Sequence, residues 1–407
     1  ASTAAFLAAV LACGQTGPVA AGASPGNAPG PIRIASIIDL EGPFRVLGRP
    51  LRKGLAAALR DRIVDGRNVE LLIRSDRYDW IQTADRVREL LEFEPVAMVA
   101  NLGAPGAEVA LPLLEFVGVP AIAFHTGADI VFENQPGAVK LMPSYADEAA
   151  FLITEAIAGG VQPNQVCAMV RDDVTGVVLL HGMARGLRGH VESESAVLAI
   201  EALLEAFENE GLRNEIGPVG VFNFENVSIV PGYRSLKRWE KMQDTRCKLV
   251  LMIAGHQILG RFAFFARYKG EDWILAGSTT IASAEKAALE MRQVGYADRL
   301  ILSRFVPKAD GGDALTSRAK TLLGPDLNES SLYGFIAGEL VLHMLDEADG
   351  DYSLDGLLAT LGHSPVVVGG VRMDFRDGRS GLSAIQLNHL TDQGWKSVTK
   401  STWKEWR

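Results

Sequence analysis

The sequence predicts an α/β protein built as two doubly wound lobes, each a parallel sheet with helices on both faces. Three observations carry this. The chain has 407 residues, enough for two or three domains at roughly 100 to 200 residues each. Short apolar, β-branched runs alternate with helix-length amphipathic segments, the pattern of strands buried on both faces of a sheet. The alternation breaks at residues 140–144, KLMPS, and then restarts. The hydrophobic fraction is 48% and the charged fraction 22%, which excludes disorder, collagen and coiled coil.

In order, residues 32–38 read as the first strand, and Leu51, Leu55, Ala58 and Leu59 lie at helical spacing within 48–63. The unit repeats as strand 69–74, loop 75–80 and helix 83–93, then strand 96–100, loop 101–106 and helix 109–117, then strand 120–124. In the second series helix 147–158 precedes strand 166–170 and loop 171–176. Strand patterns follow at 219–224, 248–254 and 273–276. A late helix spans 332–345, with strand patterns at 366–371 and 384–390. Residues 191–216 add an amphipathic stretch to which the pattern gives no role. Right-handed crossovers place the loops after the strands along one edge of each sheet.

Net charge is -9 with the basic residues scattered, which argues against a nucleic-acid partner. No body segment holds the roughly 18 apolar residues of a membrane span. The start, ASTAAFLAAVLACGQ, is apolar, and no charge precedes Arg33. It reads as the end of a secretory signal, and Leu11-Ala12-Cys13-Gly14 is similar to the bacterial lipobox, which makes Cys13 the expected lipid anchor. The plainer alternative is a buried N-terminal helix with an incidental Cys. Residues 1–13 are thus read as signal remnant and lipobox, and 14–30, rich in Gly, Pro and Ala, as a flexible linker. Cys167 and Cys247 each sit near a strand start. They either pair in an oxidising compartment or serve as two buried thiols, and the latter is the simpler expectation.

Several segments in this order resemble the branched-chain-amino-acid-binding family of ABC-transporter receptors: Glu41-Gly42-Pro43-Phe44, Gly118-Val119-Pro120-Ala121-Ile122, Arg171-Asp172-Asp173 with Gly176, residues 305–307, and Tyr333-Gly334-Phe335. The resemblance spans about residues 31 to 400. It implies the type I periplasmic binding protein fold, two lobes joined by a three-strand hinge. Lobe one would be 31–141 plus 307–363, and lobe two 142–306 plus 364–407. It also implies a monomeric, periplasmic, lipid-anchored receptor that closes on a small-molecule ligand and delivers it to a membrane permease, with no cofactor. A sensor of the same fold serving a regulatory partner is the alternative, as is a receptor for a larger apolar solute.

Mapped on this sequence, the cleft is expected to hold Phe44, Arg77, Tyr78, Leu102, Ala104, His125, Thr126, Tyr145, Arg171, Asp172, Thr175, Phe224, His256 and Ser278. The positions matching the family's amino-acid anchors are Ala104, Gly127 and Thr175, and all three lack the expected group; Thr126 stands one place from Gly127. A buried carboxylate without donors is costly, so a free α-amino acid is a poor candidate. Aromatic faces with Arg77, Arg171 or His125 suit a small organic acid, an aromatic one included. The sequence has no HExxH, no phosphate-binding glycine loop and no Gly-x-Ser-x-Gly, so neither metal nor enzyme chemistry is expected.

Overall fold

A computed structural model describes residues 30–223, 228–278, 292–293, 298–308, 311–362, 364–378, 380–391 and 393–406. The first sheet comprises β1 (Ile32–Ile37), β2 (Ile63–Val64), β3 (Arg67–Arg74), β4 (Ala97–Val99), β5 (Ala121–Ile122) and β6 (Ala138–Val139), in the order β2-β3-β1-β4-β5-β6. All neighbours from β3 to β6 are parallel. The helices α1 (Arg45–Leu59), α2 (Trp80–Leu91) and α3 (Ala104–Val117) make the crossovers.

The second lobe opens with α4 (Tyr145–Ala158), β7 (Val166–Arg171), α5 (Val174–Leu187), α6 (Glu194–Glu210) and β8 (Val219–Phe222). It continues through α7 (Val230–Met242), β9 (Leu249–Leu251), α8 (His256–Tyr268), β10 (Ile274–Ser278) and β11 (Leu300–Arg304). The chain then returns to the first lobe with α9 (Ala314–Leu323), α10 (Glu329–Glu347) and α11 (Leu354–Ala359). A hairpin of β12 (Val366–Val368) and β13 (Val371–Met373) leads to β14 (Gln386–Thr391), β15 (Gly394–Ser397) and α12 (Lys400–Trp406). The second sheet runs β15-β14-β11-β10-β9-β7-β8. The chain therefore passes between the sheets three times: after β6, after β11 and before β14.

The core explains the return to lobe one. Helix α10 is buried on nearly every side, and it packs along α1. A side chain at Gly334 would meet the Leu51 carbonyl, so the two backbones approach at glycine. The Tyr333 hydroxyl donates to the carbonyls of Ala123 (3.1 Å) and Phe124 (3.2 Å), which ties α10 to the end of β5.

Three expectations need correction, and the 191–216 stretch gains a structure. The helix expected over 48–63 ends at Leu59. Asp65 (φ 49) and Gly66 (φ 73) turn the chain between β2 and β3, a left-handed pair typical of a tight hairpin. The stretch 191–216 is mostly α6, which buries Ala196, Ile200 and Leu203 and turns its glutamates outward. The second sheet is not wholly parallel, because β14 and β15 add antiparallel strands at one side. Cys167 and Cys247 form a disulfide with Cα atoms 5.7 Å apart. The pairing of β7 with β9, Cys167 opposite Val250, brings the two cysteines to neighbouring strand starts.

Candidate ligand-binding cleft

In each sheet the strand order reverses once: β3 and β4 flank β1, and β8 and β9 flank β7. Loops leaving adjacent strands diverge at such a point and open a crevice beyond their C-terminal ends. The two crevices face one another. Lobe one contributes Phe44 and Leu47 after β1, Tyr78 after β3, Leu102, Gly103 and Ala104 after β4, and His125 and Thr126 after β5. Tyr145 enters from the crossing into α4. Lobe two contributes Arg171 and Thr175 after β7 and Ile253 and Ala254 after β9. The space between them is about 30 Å³, room for little more than a water.

Each loop is held by its own polar anchor. Buried Asp39 accepts from the backbone N–H of Glu41 (3.1 Å), Gly42 (2.5 Å) and Phe44 (2.7 Å), which fixes the turn that presents Phe44. Buried Asp76 accepts from the Tyr78 N–H (2.9 Å) and the Thr83 hydroxyl (2.8 Å). It holds Arg77 (φ 56) and Tyr78 (φ 62) in the left-handed region, two successive strained residues of the kind that cluster at functional sites. The Tyr78 ring lies 4.1 Å from that of Phe44. Its other neighbour is Gly103 (φ 99), where any side chain would run into the ring.

Arg171 is the buried cation of the cleft. Its Nη2 donates to Thr175 Oγ1 at 3.0 Å and pairs with Asp173, and Tyr78 hydrogen-bonds it from the opposite lobe. Burial alone would lower the Arg171 pKa, but Tyr78 and Asp173 outweigh it and the guanidinium stays charged. Asp173 also caps α5 by accepting from Thr175 N–H (2.9 Å) and Gly176 N–H (3.3 Å). His125 is edge-on to Tyr333 at 4.7 Å, and burial pushes its pKa down to about 4, so it is neutral near pH 7. Thr126 bonds Tyr145, whose ring seats against Gly127. Burial raises the Tyr145 hydroxyl well above its ordinary value.

Of the residues expected here, the pocket brings together Phe44, Tyr78, Leu102, Ala104, His125, Thr126, Tyr145, Arg171 and Thr175. Three lie away from it. Arg77 is exposed and ion-paired with Glu41 at 2.8 Å, because its left-handed backbone turns it outward beside the Tyr78 it precedes. Asp172 accepts from Leu212 N–H at 2.8 Å, since alternation along the strand end points it away from Arg171. Ser278 donates to Glu148 Oε1 at 3.2 Å, inside the hinge. Phe224 and the His256 side chain, like Cys13, lie outside the described residues. Leu47, Gly103, Ile253 and Ala254 were not expected. The strand expected over 248–254 ends at Leu251, which releases Ile253 and Ala254 into the loop that Gly255 closes as the cap of α8. Leu47 is the next residue on the α1 face that begins near Phe44.

Residues 31–188 match the family model described as periplasmic binding protein. Among curated proteins, none matches the chain. A possible leucine/isoleucine/valine-binding protein from Rhodopirellula baltica SH 1 superimposes with a TM-score of 0.77 at 19% identity, over 92% of this chain and 97% of its own. A fatty acid ABC transporter substrate-binding protein from Thermomonospora curvata gives 0.70 at 15%, covering 92% and 93%. An ABC-transporter solute-binding protein from R. palustris in complex with benzoate gives 0.69 at 12%, covering 91% and 96%.

Proposed function

The chain has the type I periplasmic binding protein fold, and from that premise we propose that it is the solute receptor of an ABC-type uptake system, taking a small organic acid between its lobes. The aromatic acids are the favoured class. Residues 31–141 with 307–363 then move as one lobe, and 142–306 with 364–407 as the other. The receptor is a monomer, carried on the membrane by a lipid at Cys13, and it passes its ligand to a permease without covalent chemistry.

The contact between Tyr78 and Arg171 across the cleft carries this reading. A phenol from one lobe rests on the buried cation of the other, so an oxygen-bearing aromatic ligand entering as the lobes part finds both a flat apolar slot and a charge. Its acid oxygen takes the place of the phenol on the guanidinium, and charge-assisted bonds of that kind are the strong ones. Its ring lies between Phe44 and the small residues at Gly103 and Ala104. The neutral His125 adds a polar edge without a second charge. Among the described residues, the carboxylate beside Arg171 that an α-amino group would meet is Asp173, which already caps α5 and pairs with Arg171. The benzoate-bound and fatty-acid relatives are proteins of the same fold with acidic ligands.

The purified protein is tested by thermal shift with benzoate, 4-hydroxybenzoate, octanoate and leucine. A ligand selective for the native state raises the melting temperature. The reading expects the largest shift from an aromatic acid; a shift from leucine alone would refute the ligand class while leaving the receptor intact.

A further inference from the structure

A second hollow, about 660 Å³, lies on the flank of lobe one, away from the cleft. Its floor is formed by Val69, Leu71 and Ile73 of β3, which alternate onto one face of the strand. Ala56 and Leu59 of α1 form one wall, and Leu322 at the end of α9, half exposed, forms the other.

The strand beneath this hollow has an open edge. Among the described residues the sheet continues beyond β3 only as β2, whose strand register covers Arg67 and Asn68. The Arg74 carbonyl accepts from Ile38 N–H on the β1 side (3.0 Å), whereas Val69 N–H donates outward to Arg62 (2.9 Å). By alternation, Leu71 and Ile73 also direct their backbone groups outward. The Ile73 carbonyl accepts from the Arg74 guanidinium at 3.1 Å. The N–H and C=O of Leu71 and the N–H of Ile73 have no protein partner among the described residues, and such an edge is a template for another strand.

The rim is basic on an otherwise acidic molecule. Helix α1 carries Arg45, Arg49, Arg52 and Lys53 with no acidic residue, and Arg60 follows it. Lys53 is paired with Asp326 at 2.6 Å. Arg52 and Arg60 make no ion pair among the described residues; the acidic residues on the same rim are Asp61 and the Asp326 that Lys53 already holds.

We propose that this flank binds an extended acidic segment of a partner protein, which adds a strand beside Leu71 and Ile73, sets alternate apolar side chains into the hollow and meets Arg52 and Arg60 with carboxylates. Strand addition of this kind takes affinity from main-chain bonds and specificity from alternate side-chain pockets. An anionic lipid surface would use the same cations, but it has no N–H and C=O array to pair with the strand edge.

The probe is a fluorescent acetyl-Glu-Val-Glu-Val-Glu-amide peptide titrated into the full chain by polarisation. Binding is expected, with at least tenfold weakening by R52E/R60E and by Leu71→Pro. The proline removes an outward N–H and leaves the β1 ladder untouched. A peptide N-methylated on alternate residues, which leaves the protein itself unaltered, is expected to lose binding too. Melting curves of the variants confirm that they are folded. Equal binding of the Lys-Val-Lys-Val-Lys counterpart, no binding of the acidic peptide, or an unaffected N-methylated peptide would overturn the proposal. So would anionic phosphatidylglycerol vesicles binding while the peptide does not.

Discussion

Arg171 holds the cleft together because it is the buried cation to which both lobes turn. Its ion pair with Asp173 and its hydrogen bond to Thr175 make it a fixed donor rather than a mobile counter-ion. Arg171→Ala is expected to weaken an aromatic acid by about 1.5 to 3 kcal/mol, the scale of a hydrogen bond to a charged group. Arg171→Lys should recover only part of that loss, since an ammonium lacks the planar fork; calorimetric titration checks both. Tyr78→Phe is expected to do the opposite. A phenol that the ligand must displace is removed, so affinity should rise by up to about tenfold, the equivalent of one ordinary hydrogen bond. At this scale the sequence was informative where a loop follows a strand, as for Phe44, Tyr78, His125 and Arg171. It was uninformative where a neighbour claims the side chain. Nothing in the residue types shows that Arg77 turns to Glu41, or that Ser278 faces the hinge.

Among the elements, the turn after β4 and the start of α4 decide whether the cleft keeps its shape. Gly103 combines a φ of 99° with contact against the Tyr78 ring, so Gly103→Ala is expected to destabilise by about 1 to 3 kcal/mol, read as a lower melting temperature. Helix α4 places Glu148 at the hinge, fully buried, where it accepts from Ser278 at the end of β10 and from Ser303 within β11. Burial pushes its pKa from 4.5 up to about 7; the two serines lower it, and Glu329 and Asp147 raise it. Glu329 is itself paired with Arg304 at 2.5 Å. A folded-state pKa above the unfolded one contributes stability that is fully present below about pH 4.5 and lost as pH rises through about 7. Glu148→Gln is expected to flatten that part of the melting-temperature profile; an unchanged slope would show that another group titrates. Elements were the most legible level of the sequence, since alternating apolar runs located most of the strands. The short β2 escaped because Asp65-Gly66 makes a hairpin inside what looks like a helix tail. Strand β14 was expected over 384–390, but its antiparallel direction and its partner β15 escaped because a mixed sheet edge has the same apolar pattern as a parallel one.

For the molecule as a whole, the two sheets and three crossings follow from one repeated unit, which is why the fold was readable from 31 onward with no single specific motif. Ligand chemistry was less readable, because it depends on side chains that meet only once the lobes are apposed. The disulfide was undecided for the same reason: the adjacency of β7 and β9 is a property of strand order, not of spacing along the chain. It joins residues 80 apart, so its reduction is expected to cost about 2 to 4 kcal/mol of stability, seen as a lower melting temperature in reductant. Closure rests on the same architecture. A cleft of about 30 Å³ admits an organic acid only if the lobes part, and a ligand that touches both lobes then shifts the population towards the closed form. The most direct test is energy transfer between fluorophores at exposed Phe116 on lobe one and Leu198 on lobe two, recorded during titration with 4-hydroxybenzoate and benzoate. The expected result is saturable movement to one narrow interlobe distance, abolished by Arg171→Ala. Calorimetrically verified binding with an unchanged interlobe distance distribution would contradict it.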